Sequence, residues 1–245
     1  MTRRRFIADL VTGNRAVLLG AHAAHLSRVL RVRPGQQFDI AADGRICLGT
    51  VVGIADERVE FELGEEHPPD TILPVSVYLA IVRFERMEWA IEKCVELGAD
   101  RLIPVIAART ETHLADAATK RADRWRRIIQ QAAEQSRRAL VPQLETPVRL
   151  SREMPQELGT RIVLAETEHS FSLKDALQQP ADDAVTPPSP DVALAIGPEG
   201  GWTDAELNRF TACGWIRASL GHNILRTETA ALAALAITLS LIGEG

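Results

Sequence analysis

Apolar and polar positions follow two different rhythms along this chain, and the change comes near residue 70. In the first part, short runs at residues 37–41, 46–52 and 58–63 alternate or are rich in β-branched residues. Turn signals separate them at Arg33-Pro34-Gly35, Ala42-Asp43-Gly44 and Ala55-Asp56-Glu57. Only residues 21–30 read as helical. Several short strands with close turns predict a small β-barrel. Residues 65–70, acidic and ending in Pro68-Pro69-Asp70, predict a linker, because proline prohibits helix and central strand alike.

Beyond that point, strand-like and helix-like segments alternate. Strands are expected at 75–82, 102–106, 162–165 and 192–196, and helices at 87–97, where Gly98 stops the run, and at 120–138. Such alternation predicts a parallel sheet covered by helices. Residues 178–191, with four prolines and three aspartates, predict an exposed loop. No internal repeat is present. The expected architecture is a β-domain over residues 1–70 followed by an α/β-domain over 71–245.

Composition narrows the class without choosing a function. The 245 residues are 46% apolar and 25% charged, which excludes a disordered tail, a collagen-like fibre and a protein with many membrane spans. With 28 basic against 33 acidic residues the net charge is -5, which argues against a general nucleic-acid binder. The total hides a segregation, however. Residues 1–33 hold seven arginines and one aspartate, a local charge of +6, and residues 34–70 hold two arginines and nine acids, a local charge of -7. Arginine without lysine suits bidentate phosphate contacts, and an internally neutralised surface accounts for the same charges equally well.

Three cysteines without a CxxC pair favour a reducing compartment and no metal. The start lacks the apolar run of a signal peptide, and the longest apolar stretch, 230–242, falls short of the ~20 residues a spanning helix needs. The expectation is a cytoplasmic protein with no membrane partner.

Two motifs point to a ligand. In Ile196-Gly197-Pro198-Glu199-Gly200-Gly201-Trp202-Thr203-Asp204-Ala205-Glu206 a strand ends, a glycine-rich turn follows and a helix begins. Thr203 and Glu206 form a capping-box pair. Ligands of open parallel sheets bind where such loops lie, outside the carboxyl ends of strands. Neither a dinucleotide fingerprint nor a P-loop is present. A well-capped turn without a ligand explains the same residues. The second motif, Leu220-Gly221-His222-Asn223-Ile224-Leu225-Arg226-Thr227-Glu228-Thr229-Ala230, precedes an almost uncharged helix that Thr227 is expected to cap. Arg226 and Glu228 are either an ion pair at the helix start or, since arginine opposes the helix dipole there, Arg226 awaits an external anion. The helix itself predicts full burial or a shared interface. A third segment, 120–138, carries seven basic residues against Asp123 and Glu134, a solvated face in the ordinary case.

Taken together, these residues resemble one family along nearly the whole chain. His25-Leu26-Ser27-Arg28-Val29-Leu30-Arg31 with Pro34-Gly35 and Asp43-Gly44 is similar to an N-terminal PUA-like barrel. Glu85-Arg86-Met87-Glu88, Glu96-Leu97-Gly98, Pro104, the run Gln131 to Arg138 and Val141-Pro142 match the body of its catalytic domain. The two motifs above match its end. The family is ribosomal RNA small subunit methyltransferase E, of the SPOUT class. Two departures stand out: Arg83 where many members carry lysine, and the long proline-rich segment.

The resemblance implies an α/β fold, a PUA-like β-barrel followed by a SPOUT α/β-knot domain with a deep trefoil knot, in a homodimer. It implies methylation of N3 of a uridine in 16S rRNA of the small ribosomal subunit, with S-adenosyl-L-methionine as donor, S-adenosyl-L-homocysteine as product and no metal. The donor would lie among Ala165 and Glu166, the run Ile196, Gly197, Pro198, Glu199, Gly200 and Gly201, then Leu220, Gly221, Ile224 and Leu225, with Thr229 and Ala230. Arg226 is the candidate for stabilising the uracil anion or a phosphate, and Glu134 and Glu228 are candidate bases. Arg3, Arg5, Arg28, Arg31, Arg83, Arg86, Arg137 and Arg138 are expected to contact RNA. Competing readings are a ribose 2′-hydroxyl methyltransferase and a non-enzymatic RNA-binding assembly protein. Ser219-Leu220-Gly221, in place of the Ser-Leu-Asn usual in ribose methyltransferases, favours the base.

Overall fold

The computed structural model describes residues 4–67, 73–150, 159–179 and 191–243. The chain divides into two compact units, residues 1–71 together with 133–141, and residues 72–132 together with 142–245. Arg3, residues 68–70 of the expected linker and residues 180–190 of the expected loop lie outside the described residues.

The first unit is a six-stranded sheet. Its elements are β1 (Arg5–Ile7), β2 (Leu10–Thr12), β3 (Arg15–Leu19), the short helix α1 (Gly20–Ala24), which runs into a wider turn at His25–Val29, then β4 (Gln37–Ala42), β5 (Arg45–Ala55) and β6 (Arg58–His67). The order is β1-β4-β5-β6-β3-β2, with only the β1–β4 pair parallel. Leu18, Leu26, Ile40, Val59 and Phe61 are fully buried, and Phe6, Phe38 and Phe61 meet edge to face at 5.5 and 6.3 Å. Register shifts on either side of Gly49 bend β5, and a Cβ at Gly49 would lie 2.3 Å from Ile40 Cγ1, so that strand crossing admits only glycine.

One expectation is corrected here. Residues 65–67 are not linker but the end of β6, paired with β5 through Cys47 to Glu66 and Ile46 to His67. The acidic side chains are tolerated because they are exposed and Arg45 stands 3.6 Å from Glu66. Residues 133–141 belong to this unit by specific contacts. Arg5 donates to the Arg137 carbonyl, and Leu140 lies beside Gly44, where an added Cβ would stand 3.5 Å from its Cδ2.

The second unit is an α/β-sheet. Along the chain come β7 (Val75–Ala80), α2 (Phe84–Leu97), β8 (Arg101–Ile106), α3 (Thr112–Gln135), β9 (Gln143–Leu144), β10 (Val148–Arg149) and β11 (Thr160–Leu164). They are followed by α4 (Leu173–Gln178), β12 (Val192–Ile196), α5 (Asp204–Ala212), β13 (Ile216–Ala218) and α6 (Thr227–Ile242). The strand order is β10-β8-β7-β12-β11-β13, with β9 also on β8, and every pair is parallel. All five residues of β12 are buried, as a central parallel strand requires. Tyr78, Trp215, Phe210 and Trp202 form a chain of edge-to-face rings, 5.4, 5.1 and 5.1 Å apart, beneath the loop that follows β12.

The long basic helix begins at Thr112 rather than 120, because its buried stripe of Leu114, Ala118, Ala122, Trp125, Ile129 and Ala132 starts there. It stops at Gln135 rather than 138, since Arg137 has φ +60°, a conformation no helix accommodates. Helix α2 starts at Phe84, a turn earlier than expected. In this unit α4, β9, β10 and β13 have no counterpart among the expected elements. The last helix is only partly covered: Ala231, Ala234, Leu235 and Thr238 are buried, while Ile237 is exposed. Among the described residues no helix is long and apolar enough to cross a membrane.

Candidate functional site: a cleft at the carboxyl ends of three parallel strands

The loops that leave β11, β12 and β13 converge with the first turn of α6 around a cleft of about 240 Å³. Each loop is held by bonds that the local sequence explains. After β12, Gly201 N–H donates to Pro198 O at 2.8 Å in a tight turn, and the φ of +70° at Gly201 needs a residue without Cβ. The turn ends in a complete capping box. Glu206 Oε2 accepts from Thr203 N–H at 2.9 Å and from its hydroxyl at 2.8 Å, while Thr203 Oγ1 accepts from Glu206 N–H at 3.3 Å. Glu206 Oε1 also accepts from Ala108 N–H at 2.7 Å, so this buried carboxylate is fully engaged.

The loops after β11 and β13 are zipped together. Leu173 N–H donates to Ser219 O and Ser219 N–H to Phe171 O, both at 2.9 Å. Glu168 accepts from Ser170 N–H at 2.8 Å and Phe171 N–H at 3.1 Å, and those backbone donors, Ser170 first, hold its carboxyl below the ordinary range. Gly221 has φ +108°, and nothing lies within 4 Å of the Cβ it lacks, so the backbone alone demands glycine there.

Thr227 was expected to cap α6 and does something else. Arg226 is the N-cap residue and makes no side-chain cap bond; Thr227 is the first helical residue, and its hydroxyl donates to Gly197 O at 2.8 Å. The cap position carries no side-chain acceptor because arginine occupies it, and the Thr227 hydroxyl one residue on ties helix to glycine loop. Glu228 is buried, with Oε1 at 3.8 Å from Arg86 Nε and Oε2 without a hydrogen-bond partner. Arg86 Nη1 pairs with Glu199 as well, and Arg109 donates to the Gly200 carbonyl. An Arg226–Glu228 pair at the helix start is not formed; the acid turns to Arg86, and Arg226 is exposed.

Of the residues expected to hold a donor, Ala165, Glu166, Ile196, Gly197, Pro198 and Gly201 line the cleft, as do Leu220, Gly221, Ile224, Leu225 and Ala230. Glu199, Gly200 and Thr229 adjoin it without lining it. Among the lining residues that sequence reasoning did not name for the donor are Trp202, His169, His222 and Thr227. Trp202 was the most accessible to it, since an aromatic residue directly after the glycines must either support or floor the turn. It is buried, and its Nε1–H has no partner. Glu134 lies in the first unit, where its Oε1 stands 3.4 Å from His22 Nδ1.

The expected RNA-contacting arginines are scattered in their engagements. Arg28 pairs with Asp56 at 3.4 Å, Arg31 and Arg137 hold positive φ, and Arg83 is the exposed N-cap residue of α2. The basic face of α3 is partly consumed, because Arg124 and Arg121 reach Glu88 at 2.7 and 3.4 Å and Arg121 also stacks on Phe84. Burial pushes the Cys94 thiol up to about 12, so it is no nucleophile. Among the described residues no group of His, Cys, Asp and Glu is arranged to hold a metal.

The cleft lies at the carboxyl ends of parallel strands, where open α/β sheets bind their ligands, and the family model of an RNA methyltransferase domain matches residues 69–239. The ribosomal RNA small subunit methyltransferase E of Bacillus subtilis is 31% identical over 89% of this chain and 87% of its own length. Its namesake in Mycobacterium bovis is 33% identical over 91% and 86%. The crystal structure of the Neisseria gonorrhoeae enzyme of that name, bound to S-adenosyl methionine, superimposes with a TM-score of 0.81 at 30% identity, covering 98% of both chains. The chain belongs to the ribosomal RNA small subunit methyltransferase E family.

Proposed function

We propose that this protein transfers a methyl group from S-adenosyl-L-methionine to N3 of a uridine in 16S rRNA of the small ribosomal subunit. The observation that carries the reading is the cleft at the ends of β11, β12 and β13, in a family whose Neisseria member holds that donor. The cleft suits the donor. Ile196, Leu220 and Leu225 offer apolar walls for a purine, the glycines bare their backbone groups, and Trp202 Nε1–H is an unspent buried donor. Glu166 supplies a carboxylate at the same wall. When bound, the donor supplies an electrophilic methyl on a sulfonium.

The chain's own task is to position a nucleobase and manage its charge. Uracil N3 bears a proton and lies on the pairing edge, so the base must be unpaired or flipped out and then deprotonated. Arg226, exposed between the lining residues Leu225 and Thr227, stabilises negative charge on a uracil oxygen or the adjacent phosphate. Glu228, whose Oε2 is unpartnered, is the candidate to accept the proton. Arg3, Arg5, Arg28, Arg31, Arg83, Arg137 and Arg138 hold the RNA backbone.

The same reading makes residues 1–70 a PUA-like RNA-binding barrel and residues 71–245 a SPOUT domain with a deep trefoil knot. It makes the protein a cytoplasmic homodimer whose partner is the small subunit. Incubation with small subunits and donor, followed by mass spectrometry of the 16S rRNA, tests it. The expected product is a single uridine methylated on the base; a ribose-methylated product or none overturns the reading.

A further inference from the structure

We propose that Arg86 is a positioning residue of the donor cleft rather than an RNA contact: it latches the glycine loop to helix α6. The inference rests on the reading above as far as the ligand is concerned, but the latch itself is a matter of this chain's geometry. Arg86 stands in the first turn of α2, with two carboxylates from distant parts of the sequence. Its Nη1 pairs with Glu199 in the glycine loop, and its Nε lies 3.8 Å from Glu228 Oε1 in the first turn of α6.

The side chain is 32% exposed, Glu228 12% and Glu199 47%, so the arm to Glu228 is sheltered from screening and the arm to Glu199 is more open to it. Two acids brought this close repel each other unless a cation stands between them. A fixed, planar guanidinium meets both through different nitrogens, which an ammonium does less well. The neutral bond from the Thr227 hydroxyl to Gly197 O, 2.8 Å long, spans the same two segments, and both of its residues line the cleft. Loop and helix are therefore tied at two points, one neutral and one ionic. The wall of the cleft depends on both.

A guanidinium engaged by two carboxylates offers little net charge to a phosphate. Removing it would loosen the loop, leaving the Thr227 bond as its tie to the helix, and would leave an uncompensated acid pair beside the cleft. The effect must then appear in the absence of any RNA.

Two measurements on the full-length protein decide the matter. The first is hydrogen exchange at the Glu199, Gly200 and Gly201 amides without ligand. Arg86→Ala is expected to raise exchange there while distant strands such as β5 stay protected; unchanged exchange overturns the latch, whatever the ligand. The second is calorimetry with S-adenosyl-L-homocysteine, again without RNA. Affinity is expected to fall about five- to tenfold in Arg86→Ala, the size of a partly screened charge contact. Arg86→Lys should recover only part of it, and Glu199→Gln should cost little more once Arg86 is gone. Wild-type affinity in Arg86→Ala, with only RNA binding weakened, overturns the proposal. If the wild-type protein binds no S-adenosyl-L-homocysteine, the donor reading fails, and the exchange result still stands for or against the latch.

Discussion

Ion pairs serve opposite ends in the two units. In the first unit, Arg15 and Arg58 share Glu60, Arg28 meets Asp56 and Arg45 meets Glu66, all with half or more of the arginine side chain in water, or nearly so. Such pairs are worth about 0–1 kcal/mol each and come apart readily, so arginines held this way remain available to a polyanion. In the second unit, Arg86 joins two acids, one of them buried, behind the glycine loop and the first turn of α6 that border a cleft. The lesson is that a charge count does not separate a binding surface from a scaffold; solvent exposure of the partner does. The net charge of -5 therefore says little about RNA, because steering depends on local fields.

That contrast can be broken or sharpened by experiment. The largest expected effect lies beneath the cleft: Trp202→Ala removes a buried ring packed on Phe210 and should cost about 3–5 kcal/mol in chemical denaturation. A cost below 1 kcal/mol would mean that the loop is not supported from below. Next, Arg226→Ala should lower the single-turnover methylation rate at saturating RNA by about a hundredfold, as loss of one charge-stabilising donor does. An unchanged rate would remove Arg226 from the chemistry. Thr227→Val deletes the bond to Gly197 O and should cost about 1 kcal/mol, with a matching loss of donor affinity.

At the other end of the scale, Arg28→Ala should leave stability within about 0.5 kcal/mol while weakening RNA binding, with a shallower salt dependence. A large loss of stability would show that the surface pairs are structural after all. The smallest effect is one of pH. Backbone donors depress the Glu168 pKa below its unfolded value, so its contribution is present above the ordinary glutamate range. It is lost as pH falls through the lowered folded value. Acid titration followed at the Ser170 and Phe171 amides should show their hydrogen bonds released there, and Glu168→Gln should abolish that transition.

Local patterns were legible wherever the physical cause was itself local. The Thr203–Glu206 box was readable because a helix start is set by residues three apart, and β12 because a central parallel strand must be apolar throughout. The alternation within β4 to β6 announced a β-unit for the same reason. Boundaries failed where a partner from elsewhere intervened. The acidic end of β6 pairs because β5 offers a ladder, and α3 starts early because its buried stripe does. Thr227 was misread as a cap because the Gly197 carbonyl that claims its hydroxyl is thirty positions away in the chain.

The residue pattern carried the change of rhythm near residue 70, the glycine loop with its capped helix, and the family to which these motifs belong. All of these rest on short-range periodicity, on glycine's backbone freedom and on spacing along the chain. Folding was needed to show that Trp202, His169 and Thr227 join the cleft, that residues 133–141 join the first unit, and that Arg86 faces two acids. Those depend on which distant segments the parallel sheet sets side by side. An arginine reads the same in a sequence whether it meets water or carboxylates; its surroundings, made by folding, decide what its charge does.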